Sequence, residues 1–155
     1  MLIARDGSWF HDGKPIRRKA MVQLFSSILM LDTDELYYLV TPVEKVRLKV
    51  EDCPFVANQM EITGSGESQL IQFTTNVDEV IQVDEEHPIR VEVDGSSGEP
   101  HPTVHVRNGL NALINRAVFY RLIEHAEQAE EGDEIVSRVW SGNRYFELGR
   151  YTNTV

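Results

Sequence analysis

Cysteine is almost missing. Cys53 is the only one in 155 residues, so no intramolecular disulfide forms and no thiolate-based zinc site is expected. A lone thiol also suits a reducing compartment. No uninterrupted apolar run approaches the roughly 18 residues needed to span a bilayer. The opening Met1-Leu2-Ile3-Ala4-Arg5-Asp6-Gly7 lacks the apolar centre of a secretion signal. These absences point to a soluble, cytoplasmic protein. Basic charge is scarce as well: 15 Lys and Arg stand against 25 Asp and Glu, a formal net charge of -10. Such a surface repels duplex nucleic acid and anionic membranes unless its cations gather on one face. Neither partner is expected.

Several chemical signatures are also missing. Gly64-Ser65-Gly66 lacks the lysine of a phosphate loop and leads into a strand pattern, so it reads as a hairpin loop. No glycine-x-serine-x-glycine elbow occurs, and Trp140-Ser141-Gly142-Asn143 reads as a turn. His101 and His105 would lie about 13 Å apart on one side of a strand, too far to share an ion. Glu85-Glu86-His87 has no further ligand in view. Asp52 beside Cys53 should raise the thiol pKa and oppose thiolate formation. An enzyme would have to rest on Glu44, Glu51 or Asp52, and no positioned partner group accompanies them. No catalytic residue, metal or cofactor is expected.

What is present is enough for a core. The apolar fraction is 41%, so most of the chain should fold. Ser8-Trp9-Phe10-His11 reads as a strand running into an Asp12-Gly13 hairpin turn. Pro15 then opens a helix whose stripe Met21, Leu24, Phe25, Ile28 and Leu31 carries it from Arg17 to Leu31. Strands follow over 36–40, 46–50, 55–62, 70–75, 80–83 and 89–93. Thr103 to Val106 is a further strand, and Arg107-Asn108-Gly109 turns into a second helix over 110–128. Ile135 to Trp140 and Arg144 to Leu148 close the chain as a hairpin. The class is α+β, and the pattern strand, turn, helix, strand, strand occurs at both ends. Two small similar units are expected, residues 1–76 and 77–155, tightly packed.

Blocks of the sequence also resemble a known family. They include Leu39-Val40-Thr41-Pro42-Val43-Glu44-Lys45-Val46, Val50-Glu51-Asp52-Cys53-Pro54-Phe55 and Phe73-Thr74-Thr75-Asn76. Val104-His105-Val106-Arg107-Asn108-Gly109-Leu110, Asn115-Arg116 and Val139-Trp140-Ser141-Gly142 continue the series. In this order they resemble the bacterial domain-of-unknown-function family 1285 over nearly the whole chain. The resemblance implies a duplicated α+β arrangement whose second half is loosely like the pleckstrin-homology fold. It also implies an anionic, nucleotide-like ligand between the halves and a place in bacterial signalling. Asn111-Ala112-Leu113 stand where the family favours a bulkier or basic residue, so a ligand contact there is not carried over.

The candidate binding residues are mostly cations. Lys45, Arg47 and Lys49 share one strand face, where three like charges along about 14 Å repel unless neutralised. Cross-strand carboxylates or an anion would serve. Arg107 and Arg116 flank the start of the second helix, whose N–H groups at Gly109 to Ala112 offer an anion site. Asn108 lies in the same turn, and Arg90 is a further candidate, as is Arg5. Trp9 and Trp140 hold equivalent places in the two units and could stack a base, although rings of that area more often fill cores. The leading expectation is a non-catalytic ligand-binding or regulatory module, with Lys45, Arg107 and Arg116 meeting the ligand. An alternative is a protein-interaction module, for a homodimer or another partner, through Tyr37-Tyr38 and the Val46–Val50 strand.

Overall fold

The computed structural model describes residues 1–152, so the last three residues of the expected 77–155 unit lie outside the described residues. Strands β1 (Leu2–Ile3), β2 (Trp9–His11) and β3 (Lys14–Pro15) precede α1 (Lys19–Ser27), and β4 (Leu29–Leu31), β5 (Tyr37–Val40) and β6 (Lys45–Val50) follow it. They form a six-stranded sheet in the order β3-β2-β1-β6-β5-β4, with β1 and β6 parallel. Next come β7 (Phe55–Thr63), β8 (Leu70–Thr75), β9 (Val80–Gln82), β10 (Ile89–Val93), β11 (Pro100–Arg107) and β12 (Leu110–Ile114). These make a second sheet in the order β10-β11-β12-β7-β8-β9, with β12 and β7 parallel. Then α2 (Arg116–Glu124) leads into β13 (Glu127–Glu131), β14 (Glu134–Ser141) and β15 (Arg144–Thr152), a three-stranded meander. The chain is α+β and mostly sheet. Among the described residues no helix is long and apolar enough to cross a membrane.

The second helix is shorter than expected, and the cause is local. Asn108 (φ 49) and Gly109 (φ 79) both take positive φ, and Arg107 pairs with Leu110 across them. That is the two-residue turn matched to the twist of antiparallel strands. The chain therefore returns as β12, with Leu110, Ala112 and Ile114 buried in alternation. The N–H groups of Gly109 to Ala112 are thus not at a helix N-terminus. The helix starts only after Asn115, whose side-chain oxygen accepts from the Val118 N–H at 2.9 Å. Its end is also early: residues 127–131 form an edge strand rather than helix.

The first helix is trimmed for a similar reason. Leu29 to Leu31 pair with Leu39 to Tyr37 as β4, and Pro15 lies in β3 instead of a helical turn. The Asp12-Gly13 hairpin forms as expected, joining His11 to Lys14. β6 pairs along Lys45–Leu48 with β5 and, on its other side, with β1 at Lys49 and Val50.

All three sheets share one core. Ile3, Trp9 and Leu48 belong to the same buried cluster as Phe55, Phe73, Leu122, Val139 and Phe146. The two large sheets part company between Val50 and Phe55. Strands β7 and β8, which fall within the expected 1–76 unit, hydrogen-bond into the sheet built from residues 55–114. Polar side chains hold the joints. Asn76 Nδ2 donates to the Gly7 carbonyl at 3.1 Å, and its Oδ1 accepts from the Val56 N–H at 3.0 Å. Ser141, fully buried, accepts from the Ile71 N–H and donates to the Val83 carbonyl, tying the meander to the second sheet.

Candidate functional site

A broad concavity lies where the N-terminal segment meets the second sheet and α2. It encloses about 650 Å³, within the range of small-molecule sites. Arg5 and Asp6, in the turn after β1, form one wall. The parallel pairing of β12 with β7 brings Asn58, Ile114 and Asn115 together on the floor. Arg116, Phe119 and Tyr120 of α2 and Glu99 to Pro102 at the start of β11 complete it.

Its charge is mixed. Arg5 and Arg116 face Asp6 and Glu99, and both arginine side chains are more than two-thirds exposed. The Arg116–Glu99 pair is long, at 3.8 Å, and both partners are exposed, so it restrains the guanidinium weakly. The Ser8 N–H donates to Asp6 at 2.9 Å and holds its carboxyl below the usual range, so Asp6 is ionised at neutral pH. Tyr120 is exposed, Phe119 is buried, and both line the cleft, so aromatic side chains stand beside the cations. A polar organic molecule carrying both a planar part and an anionic group suits this lining better than a bare anion.

Behind the wall sits a second group of residues. His101 Nε2 lies 2.7 Å from Asp52 Oδ1, Cys53 Sγ lies 3.5 Å from the same oxygen, and Arg5 Nε is 3.3 Å from Asp52 Oδ2. The segment 51–53 is fixed by the Glu51 N–H donating to the Ile3 carbonyl, and His101 by its register opposite Glu92. Burial, then the charge and hydrogen bond of Asp52, pushes the Cys53 thiol up to about 12, while Arg5 opposes the shift. The direction follows the sequence expectation, although burial is the larger cause. The His101 side chain is about one-third exposed and anchored by Asp52. His105 is anchored too, accepting from the Gly109 N–H through Nε2.

The expected site residues scatter. Only Arg116 lines the cleft, joined by Arg5, which the sequence offered as a further candidate. Lys45 pairs with Asp32 and lies 4.4 Å over the Tyr38 ring, on the open face of the first sheet with Arg47. Arg107 donates to both oxygens of Glu79 at 3.3 Å and to the Ser26 carbonyl at 3.0 Å, bolting α1 to the second sheet. Asn108 is exposed in its turn, and Arg90 lines a separate hollow of about 270 Å³ with Glu85 and Thr103. Trp9 is buried and stacks on Phe25 at 6.1 Å; Trp140 packs edge-on against Tyr145 and donates to the Glu67 carbonyl. Of the three carboxylates, Glu51 accepts from the Arg5 N–H, whereas Glu44 lies at the far end of β6, roughly 20 Å from Asp52 by strand length.

The frame is thus an α+β chain of two large sheets and a meander, with a cleft at the seam between its N-terminal and C-terminal parts. Two family models divide the chain at that seam. The model described as "Domain of unknown function (DUF1285), N-terminal domain" matches residues 1–53, and "Protein of unknown function (DUF1285), C-terminal domain" matches residues 54–148. The chain belongs to the DUF1285 family. A crystal structure of a DUF1285 family protein from Silicibacter pomeroyi DSS-3 is similar, with 49% identity, a TM-score of 0.85, and coverage of 96% of this chain and 78% of that one. Another, from Shewanella baltica OS155, has 27% identity, a TM-score of 0.62, and coverage of 79% and 89%. No curated protein matches the chain.

Proposed function

We propose that the chain is a non-catalytic, cytoplasmic ligand-binding module that takes an anionic, nucleotide-like molecule at the seam between its N- and C-terminal parts. One observation carries this reading: the 650 Å³ cleft combines Arg5 and Arg116 with the Phe119–Tyr120 wall. The guanidinium groups match a phosphate or carboxylate, and the ring offers a stacking surface to a planar base. In this reading Arg116 meets the ligand, with Arg5 and His101 as its neighbours in place of Lys45 and Arg107.

The reading includes a duplication. Three strands, a helix of nine residues and three strands occur as β1–β6 with α1, and again as β10–β15 with α2. A loose pleckstrin-homology likeness of the second half belongs to the same reading. Ligand occupancy would bear on both parts at once, which is the simplest basis for a regulatory role in signalling.

A thermal-shift series over nucleotides, nucleosides and inorganic anions tests the proposal. A ligand at about 100 times its Kd stabilises by ~2.7 kcal/mol, or ~5–10 °C for a chain of this size. Arg5→Ala and Arg116→Ala should abolish that shift. No shift with any compound at millimolar concentration would sink the reading.

A second reading has its own observation. Asp52 orients His101 at the cleft wall as a carboxylate orients a general base. If a hydrolytic activity were found, His101→Gln should remove it while Glu44→Gln leaves it intact.

A further inference from the structure

We propose that Asp52, Cys53 and His101 form a binding site for a borderline-soft divalent metal ion of the Zn2+ type. Among the described residues they are the one group of three such side chains whose ligand atoms converge, all within 4.8 Å of one another. Ligand atoms around a tetrahedral zinc stand about 3–4 Å apart, given metal–ligand lengths of roughly 2.0–2.3 Å. Closing the cluster onto an ion therefore needs adjustments within an ångström or so.

The chemistry of the set fits. A thiolate, a carboxylate and a neutral imidazole supply two negative charges to a dication. One hard and two softer donors favour Zn2+ or Co2+ over Mg2+ or Ca2+. Three protein ligands leave one position for water or a ligand atom, the pattern of zinc sites that keep an open position. His101 reaches the cleft wall, so that position has access to solvent. The ion would take the place at Asp52 Oδ1 where the His101 ring and Cys53 thiol now converge. Arg5, bonded to Oδ2, stays as the outer partner that orients the carboxylate. Binding releases the Cys53 proton to solvent, and the His101 proton shared between Nε2 and Asp52 Oδ1 moves by way of solvent to Nδ1, which frees Nε2 for the ion. The expectation of no thiolate zinc site counted cysteines alone, and the separation of 49 positions between Asp52 and His101 hides a mixed set.

The inference is independent of the cleft's organic ligand. Untagged full-length protein, stripped with chelator and titrated with Co2+, should show a near-ultraviolet thiolate-to-cobalt band saturating at one ion per chain. Cys53→Ser should remove the band, and His101→Gln, at a partly exposed position, should weaken Zn2+ binding at least ~10-fold with an unchanged circular-dichroism spectrum. Absence of the band in the folded wild type would overturn the proposal whatever the variants do. So would binding equally tight in both variants, which would place the ion among surface carboxylates.

Discussion

The seam between the N-terminal and C-terminal parts has two sides, and each carries an arginine that the sequence singled out. On one side Arg107 is committed: it bonds Glu79 and the Ser26 carbonyl and lies 5.5 Å from the Phe55 ring. Lys19–Asp78, Gln23–Val77 and the Asn76 bridges close the same side. On the other side, among the described residues, Arg116 makes one ion pair, long and exposed, with Glu99 across the 650 Å³ cleft. The lesson is that an arginine held by several bonds within its own chain is a structural bolt. One left beside a concavity is available to a ligand.

The comparison is sharpened first by removing the bolt. Arg107→Ala strands the partly buried Glu79 and frees a carbonyl, so unfolding should become easier by about 2–3 kcal/mol, or ~4–12 °C in Tm, measured by calorimetry. Asn76→Ala deletes two bridging hydrogen bonds and should cost about 1–2 kcal/mol by denaturant titration. A loss under about 0.5 kcal/mol at both positions would mean that side is not closed as described.

A pH series probes the open side's inner group. The Cys53 thiol is raised from an ordinary 9.0 to about 12, so the fold favours the protonated form. That contribution is whole below pH 9 and is lost as pH rises toward 12. The stability gap between wild type and Cys53→Ala should narrow over that window, read as parallel melts. A constant gap would show that the thiol is not shielded. The smallest expected effect is Arg116→Ala, within about 0.5 kcal/mol of wild type without ligand. A larger loss would make Arg116 a bolt too.

How much of this was legible turns on sequence distance. The Lys45, Arg47 and Lys49 alternation predicts a strand, and β6 is one, because period-two burial is written in adjacent residues. Asn108-Gly109 carried a hairpin signal that outweighed the helix expected from residue 110, and Leu110 to Ile114 belong to a strand. The cleft was hidden because Arg5, His101 and Arg116 meet only through the parallel β12–β7 pairing and the β1–β6 pairing. No local pattern encodes such long-range registers. Charge density along β6 drew attention instead, yet Lys45 is already neutralised by Asp32 on an open face. Concavity, which a sequence does not display, separated the two.

The most direct test is an amide-resonance titration of the wild-type chain with adenosine monophosphate, with inorganic phosphate as the control. The account predicts shifts at Arg5, Asp6, His101 and residues 113–120, and none along 45–49. Shifts confined to Lys45, Arg47 and Lys49, or to the Arg107 turn, or no shifts from either compound, would contradict it.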